Sequence, residues 1–178
     1  ATTGYSQNVH WSRFDWVSYT SGNTTYDKAA LVIPVKLKGL SKTLWMQFDT
    51  GADGTTVYGI PYKQLHIPAR YAAEDSSALI LGISIGSYSF DSLRVRVLRG
   101  FGDSLTERDE HPIIGTIGQD LLTNRVFIVD FPRKQFCILS SVKEMPRYML
   151  ERATFVDIHH RNKKLFLTIQ IADTSSDD

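Results

Sequence analysis

The stretch Leu44-Trp45-Met46-Gln47-Phe48-Asp49-Thr50-Gly51-Ala52 decides how the chain is interpreted. Its first five residues are mostly large and apolar, which predicts a short β-strand. The strand runs directly into Asp49, so a carboxylate stands at its end. In the turn that follows, the Thr50 hydroxyl can fix the backbone, Gly51 permits close approaches that a Cβ would forbid, and Ala52 keeps the turn uncrowded. The same residues also suit an ordinary turn between two strands.

Two triplets that end in glycine follow well downstream: Ile113-Ile114-Gly115 and Thr116-Ile117-Gly118. Their apolar residues predict a buried strand with close backbone packing. The second triplet is the better functional motif, because Gln119-Asp120-Leu121-Leu122 follows it at once and predicts a short helix. The Asp-Thr-Gly turn and this triplet, in that order and separated by a β-rich stretch, are far more specific together than either is alone.

This combination resembles aspartic proteases of the pepsin and retropepsin superfamily over residues 30–140. Gln47 departs from the pattern, because members of the superfamily carry an apolar residue there. The resemblance implies an all-β lobe of closed, barrel-like sheets with one or two short helices. It also implies that Thr116, Ile117 and Gly118 thread the loop around the catalytic aspartate.

The chemistry that the resemblance implies is hydrolysis of peptide bonds by a water held between two aspartates. One aspartate is ionised and acts as general base, and the other is protonated and polarises the carbonyl. Asp49 is the catalytic residue in this interpretation, and Thr50, Gly51 and Ala52 shape its turn. The expected partner is a peptide or protein substrate, and no cofactor or metal is expected.

One carboxylate cannot do this chemistry alone, and Asp49 has the only convincing setting. Asp173-Thr174-Ser175 is rejected as the second site, because Gln170 and Ala172 interrupt the apolar run before it. The second aspartate comes either from a second lobe or from another subunit of a homodimer. We prefer the second lobe, because residues 165–171 repeat the apolar layout of residues 31–37 and the chain stops just as that lobe would begin.

A flap is the weakest match to the superfamily, whose flaps are β-hairpins with glycines or a tyrosine near the tip. The corresponding stretch, residues 66–81, contains no glycine, and Tyr71 is its only tyrosine. Tyr71 is therefore a candidate flap residue, with a surface-loop tyrosine as the preferred alternative. Residues 68–77 are predicted to form a loop.

Short strands dominate the rest of the pattern, so the fold class is all-β. Pro34 predicts an edge position or a bulge in its strand. The predicted units are an N-terminal extension at 1–28, a protease-like lobe at 29–140, a linker at 141–152, and a segment at 153–178 that begins a second lobe or serves as a dimerisation extension. Further strands are predicted at 31–37, 79–85, 90–98, 126–131 and 135–139, with helical turns within 58–67 and 119–124.

Composition excludes several classes of function. The 178 residues carry 20 Lys+Arg against 19 Asp+Glu, a net charge of +1, which gives no basic footprint for nucleic acid. No apolar stretch approaches the roughly 20 residues of a membrane-spanning helix. The N-terminus lacks the layout of a signal peptide. A secreted or periplasmic location is compatible with the sequence if a signal has been removed, so the sequence does not decide the compartment.

The remaining candidate residues have ordinary interpretations. His159 and His160 are adjacent and lack a third ligand, so a solvated turn is preferred to a metal site. Cys137 is the only cysteine, which excludes an internal disulfide, and its strand pattern predicts a buried thiol. The alternative function is a non-catalytic module of the same fold that binds peptides or stabilises an assembly.

Overall fold

The computed structural model describes residues 9–72, 76–156, 158–161 and 164–167. The described residues form two short α-helices, α1 (Gly59–Gln64) and α2 (Arg147–Leu150), and 3-10 helices at Gln119–Leu122 and Val142–Glu144. The strands are β1 (Ser12–Arg13), β2 (Asp15–Ser21), β3 (Thr24–Leu37), β4 (Leu44–Phe48), β5 (Thr56–Tyr58), β6 (Ala69–Ala72), β7 (Ser77–Ile85), β8 (Tyr88–Leu98), β9 (Ile113–Ile117), β10 (Val126–Asp130), β11 (Gln135–Leu139), β12 (Ile158–Arg161) and β13 (Lys164–Leu167). The predicted all-β class is confirmed. No helix in these ranges has the length and apolar character needed to cross a membrane.

The main sheet has eight strands in the order β2-β3-β4-β9-β5-β8-β7-β6. An additional pairing of β3 with β7 joins the two sides of this sheet. Six strands, β3, β4, β9, β5, β8 and β7, therefore form a closed ring, and β2 and β6 extend from it. Closure removes the open edges that a flat sheet of these strands would leave.

The core lies inside this ring and is built by the period-two alternation of its strands. Alternate residues of β7, Ala78, Ile80, Ile83 and Ile85 among them, are buried, with the register adjusted around Gly82. Each fully buried aliphatic side chain of this size contributes about 1.5–3 kcal/mol relative to an exposed one. The apolar pattern therefore fixes which face of each strand points inward.

Pro34 lies at a switch between two neighbours of β3. The pairing of β3 with β2 ends at Val32, and its pairing with β7 begins at Val35. The Pro34 carbonyl accepts a hydrogen bond from the Gly86 N–H at 2.9 Å. A proline is accommodated here because one neighbouring strand ends as the next begins, which leaves a gap in the ladder for the missing N–H.

The segment predicted as an N-terminal extension contributes to the sheets. β1 pairs with β11, and β2 pairs with β3. Phe14, between the two strands, is only 2% exposed and meets Trp16 edge to face at 5.8 Å. Within the described part of residues 1–28, β1 and the start of β2 thus pair with strands of the lobe.

The prediction of a loop over residues 68–77 is wrong, because β6 pairs with β7 from Ala69–Ile80 to Ala72–Ser77. The residues of β6 show no apolar alternation, and backbone hydrogen bonds to β7 hold them. Downstream, the predicted linker carries the second 3-10 helix and α2, and β12 and β13 form a two-stranded sheet of their own. Asp173 to Ser175 lie outside the described residues.

Candidate active site

Asp49 lies immediately after the end of β4, in a turn held by backbone hydrogen bonds. The Asp49 N–H donates to the Ile117 carbonyl at 3.0 Å, and the Ala52 N–H donates to the Asp49 carbonyl at 3.1 Å. The Gly51 N–H donates to Oδ1 of the Asp49 carboxylate at 2.8 Å. Asp49 is partly exposed and Thr50 is exposed. The turn therefore presents a carboxylate that its own backbone orients and that solvent can reach.

β9 lies between β4 and β5, although β4 and β5 are neighbours along the chain. It runs parallel to β4, with Phe48 opposite Ile117, and antiparallel to β5, with Thr56 opposite Thr116. The loop that carries Asp49 connects β4 to β5 and must pass around the end of β9. The structure thus brings the Asp49 turn together with Thr116, Ile117 and Gly118.

The end of β9 is fastened to the Asp49 turn on both of its sides. Ile117 accepts from the Asp49 N–H, and the Gln119 N–H donates to the Ala52 carbonyl at 3.1 Å. These two bonds lie on either side of Gly118. One ties the Asp49 turn to β9, and the other ties it to the 3-10 helix that follows Gly118. A shift of either segment would break a backbone bond of the other.

Gly118 packs backbone to backbone against Gly54. A Cβ on Gly118 would stand 2.6 Å from the Gly54 carbonyl carbon and 2.8 Å from its Cα and N. The φ and ψ of Gly118, −95° and −176°, are open to any residue, so the glycine is required by space and not by conformation. Close approach of the two segments is therefore possible only without a side chain at position 118.

Asp120, which the sequence analysis treated only as part of a short helix, is a central hydrogen-bond acceptor. Its Oδ2 accepts from the Thr55 N–H at 2.9 Å, and its Oδ1 accepts from the Thr55 hydroxyl at 2.7 Å and from the Leu121 N–H at 3.0 Å. The Gly118 N–H in turn donates to the Thr55 hydroxyl oxygen at 3.3 Å. Thr55 is 2% exposed. The far end of the Asp49 loop is thereby joined to the 3-10 helix.

The sequence offered one signal for this link. Asp120 follows Gly118 at the start of a short helix, where a carboxylate commonly accepts from free N–H groups. Its partner Thr55 lies 65 residues earlier, and no local pattern connects the two positions. Sequence periodicity therefore could not find the pair.

Aromatic rings pack against the face of β4 that carries Phe48. Phe48 stacks on Phe127 with ring centroids 4.3 Å apart, and Phe127 stacks on Phe136 at 5.4 Å. Phe136 is 1% exposed. Because side chains alternate along a strand, the packing of Phe48 toward the core directs its neighbour Gln47 to the other face.

A pocket of about 520 Å³ opens on that other face. It is lined by Gln47, Tyr58 and Ile113 from the barrel and by the loop that contains Phe101 and Leu105. The Tyr58 hydroxyl is 2.8 Å from the Thr116 hydroxyl, which joins β5 to β9 beneath the pocket. The departure of Gln47 from the apolar pattern is explained by its place in the wall of an open pocket, where an amide keeps contact with water.

Tyr71 lies in β6, where its backbone pairs with Ala78 of β7. The β6–β7 pair is a hairpin whose connecting residues 73–75 are outside the described ranges. The structure therefore places the backbone of the candidate flap residue on a hairpin, and its role as a flap residue stays a prediction.

Two other acidic residues lie in this region. Asp53 is exposed in the same loop, and the Asp120 carboxylate accepts a hydrogen bond from the Thr55 hydroxyl. Across the described ranges, no group of three or more His, Cys, Asp or Glu side chains is arranged to hold a metal ion. Cys137 is buried and its thiol is free, as predicted, and burial raises its pKa to about 11.

No protein family, curated protein or solved structure matches this chain.

Proposed function

We propose that this chain is a lobe of an aspartic endopeptidase, with Asp49 as its catalytic carboxylate. One observation carries the proposal: a solvent-accessible carboxylate ends β4 in a turn that is fastened to a strand threaded between β4 and β5. An ordinary turn between strands requires neither the threaded strand nor the backbone contact at Gly118. A carboxylate that must hold a water in a fixed position benefits from both.

The reaction requires a second carboxylate, supplied by another lobe or another subunit. Two carboxylates about 3 Å apart share one proton, because both cannot be ionised at that distance. The ionised carboxylate takes a proton from water as the water oxygen attacks the peptide carbonyl carbon, and the protonated carboxyl donates its proton to the carbonyl oxygen. When the C–N bond breaks, the carboxyl that took the water proton gives it to the leaving amine nitrogen, and the other carboxylate takes the proton of a diol hydroxyl as the new carbonyl forms, so the pair again holds one proton.

The pocket beside Gln47 is the proposed place for a substrate side chain. It opens on the face of β4 that carries Gln47, and its wall combines the rings of Tyr58 and Phe101 and the side chain of Leu105 with the polar side chains of Gln47, Asp103, Asp109 and His111. Such a mixture suits a large side chain that carries a polar group. The substrate class is therefore a peptide or an unfolded protein segment.

A non-catalytic peptide-binding or assembly module is the second candidate. It is favoured by the fact that the described residues offer one carboxylate in this setting and not two. The two candidates share the pocket and the turn, and they differ only in whether Asp49 carries out a proton transfer.

The test is Asp49→Asn, assayed on an unfolded protein substrate at mildly acid pH. The amide keeps the shape of the carboxylate but cannot act as a base, so we expect the rate to fall by about a thousandfold or more with the fold intact. The matched control is Asp91→Asn, which changes an exposed aspartate on β8. A peptide with a hydroxyl at the scissile position should inhibit the wild type, and a chelator should not.

The outcome separates the two candidates. If Asp49→Asn retains a tenth of the wild-type rate, Asp49 is not the base and the endopeptidase proposal fails. If the wild type is inactive but binds the hydroxyl peptide, the non-catalytic module is favoured.

A further inference from the structure

The loop between β8 and β9 supplies much of the wall of the pocket beside Gln47. We call residues 99–112 the pocket loop. It contributes Phe101, Asp103 and Asp109 to the wall, among others. Gln47 of β4 also lines the pocket, two residues before Asp49 in the chain. A side chain held in the pocket would therefore lie close to the strand that ends in the proposed catalytic carboxylate.

Hydrogen bonds and close packing fasten the pocket loop to α1 and β5. The side-chain amide of Gln64 donates to the Leu105 carbonyl at 2.7 Å and accepts from the Leu105 N–H at 2.7 Å. Gly102 has a φ of +87°, and a Cβ on it would stand 2.6 Å from the Cβ of Tyr58. This glycine therefore lets the loop turn and pack directly against Tyr58. The wall of the pocket is thus built by contacts within the chain itself.

Aromatic rings form a large part of the apolar wall. Tyr58 and Phe101 meet edge to face with ring centroids 5.0 Å apart, and Phe101 is 55% exposed. A long aliphatic stem can lie along such rings, and a cation near a ring face is attracted by its electrons. The rings therefore accept a long side chain with either an uncharged or a positive end, and the polar groups of the wall decide between the two.

Two carboxylates bring negative charge to the wall. The Thr106 N–H and hydroxyl both donate to the Asp109 carboxylate at 2.7 Å, and these hydrogen bonds lower the pKa of Asp109, which favours its ionised form at mildly acid pH. Asp103 is exposed, and no hydrogen bond or ion pair within the described residues engages its carboxylate. Asp109 is thus held in place as part of the loop, whereas Asp103 is available to a ligand.

Basic side chains near the pocket loop are directed elsewhere. His111 lines the pocket, but its Nε2 lies 3.3 Å from Oδ2 of Asp15. Lys42 donates to a carbonyl of the loop at 3.3 Å, and neither it nor the exposed Arg99 and Arg108 belongs to the described wall. The negative charge of the wall is therefore not neutralised from within the pocket.

We propose that the pocket takes a lysine or arginine side chain of the substrate and that Asp103 determines this preference. The inference rests on the proposed function, because it treats the pocket as a place for a substrate side chain. The stem lies along Tyr58 and Phe101, and the cationic end meets the Asp103 carboxylate, with Asp109 adding negative charge nearby. A pocket of about 520 Å³ has room for either side chain. An acidic side chain would face two like charges and is rejected.

The test compares two fluorescent hydroxyl peptides that differ in one side chain, lysine in one and norleucine in the other, which keeps the stem without the charge. The compared side chain is placed in turn at each of the two positions on either side of the scissile bond, and binding is measured by anisotropy, so no hydrolysis is needed. At one of these positions we expect the wild type to bind the lysine peptide about fivefold more tightly or better, as a charge pair at a partly exposed site provides.

Variants of the pocket loop assign the preference to one carboxylate. Asp103→Asn should remove most of the preference for lysine, and Asp103→Lys should transfer it to a peptide with glutamate at the same position. Asp103→Glu retains the charge and should retain the preference. The matched control is Glu107→Gln, which removes an exposed carboxylate of the same loop that is not part of the described wall and should leave the preference unchanged. Circular dichroism of each variant verifies the fold.

Each outcome bears on the pocket separately from the chemistry. Equal binding of the two peptides at every position, no binding of either at about 1 mM, or a preference that Asp103→Asn retains would overturn the inference even if the protein cleaves peptides. A preference that Glu107→Gln removes equally would also overturn it, because the general charge of the loop would then be the cause. A preference for lysine that depends on Asp103 supports the inference even if Asp49→Asn changes no activity, and in that case the endopeptidase proposal alone fails.

Discussion

Replacement of Gly118 by alanine tests whether the contact between two loops positions Asp49. The added Cβ would meet three backbone atoms of Gly54 at 2.6–2.8 Å. Ordinary contact between carbons needs about 3.5–4.0 Å, so the two segments must separate by about 1 Å. No flexible side chain is present at the contact that could move aside.

The expected cost follows from that separation. Overpacking of a close contact costs about 1–3 kcal/mol, and each backbone hydrogen bond lost adds about 1 kcal/mol. The bonds at risk are those from the Asp49 N–H to Ile117 and from the Gln119 N–H to Ala52, which are 3.0 and 3.1 Å long. We therefore expect Gly118→Ala to lower the free energy of unfolding by about 2–4 kcal/mol. That loss corresponds to a fall in Tm of about 5–15 °C for a domain of this size.

Gly54→Ala is the matched control, because it adds a methyl to the other side of the same contact. Its Cβ would lie 3.6 Å from Oδ2 of Asp120, an ordinary distance, and no backbone atom is closer. The free energy of unfolding should change by less than about 0.5 kcal/mol. The two variants have the same composition, so any difference between them comes from the direction in which the methyl points.

The assay is urea unfolding followed by circular dichroism and tryptophan fluorescence, with the midpoint and the slope fitted separately. A parallel peptidase assay should show a loss of about a hundredfold in kcat for Gly118→Ala, since a displacement of 1 Å at the reacting groups has an effect of that order. If Gly118→Ala is as stable as the wild type, or if Gly54→Ala is equally destabilised, the contact does not hold the turn in the way described.

Three further predictions concern individual side chains. Asp120→Asn should lower the free energy of unfolding by about 1–3 kcal/mol, because its amide would turn a donor toward the Thr55 N–H or hydroxyl. Thr55→Val should lower the free energy of unfolding by a similar amount, whereas Thr55→Ser should not. Thermal melts of the three variants check this prediction. A hydrogen bond from the Trp16 N–H and, to a smaller extent, one from Lys134 lower the pKa of Asp15. The contribution of Asp15 to stability is therefore present above the ordinary carboxyl pKa and is lost as pH falls through the lowered pKa. The difference in stability between the wild type and Asp15→Asn should shrink toward pH 3, and a constant difference would contradict the assignment. Cys137, buried and with a pKa near 11, should resist a thiol reagent in the native protein and react fully in urea, and rapid native labelling would show that it is accessible.

The sequence predicted the strands of the barrel wall well because their side chains obey one rule. In β4 and in the β7–β8 hairpin, apolar residues alternate and point inward, and the predicted bounds agree with the observed ones to within two residues. β9 was found from its paired glycines and its neighbouring short helix. Such elements are specified locally, so a pattern read along the chain is sufficient.

The prediction failed where backbone pairing and not side-chain burial makes the strand. The residues of β6 carry no alternation, and its strand exists because β7 offers an edge to pair with. Residues 18–29 are exposed and have no apolar period, so the sequence predicts only an extension at 1–28 and does not reveal the strands that the structure shows there. A strand with two solvated faces leaves no hydrophobic signal, whatever its regularity.

The candidate site could be predicted from the sequence only in part. The Asp-Thr-Gly turn is local and could be recognised, but its position depends on contacts between distant segments: Gly54 with Gly118, and Thr55 with Asp120. These contacts fix the far end of the loop around β9, and the hydrogen bond from the Asp49 N–H to Ile117 fixes its near end, where the partly exposed carboxylate lies. In the endopeptidase proposal, a half-site built in this way needs a second carboxylate from outside, because one carboxylate cannot act as base and as proton donor at once. Under that proposal, the rigid turn holds Asp49 in one position at which the carboxylate of another lobe or subunit can meet it.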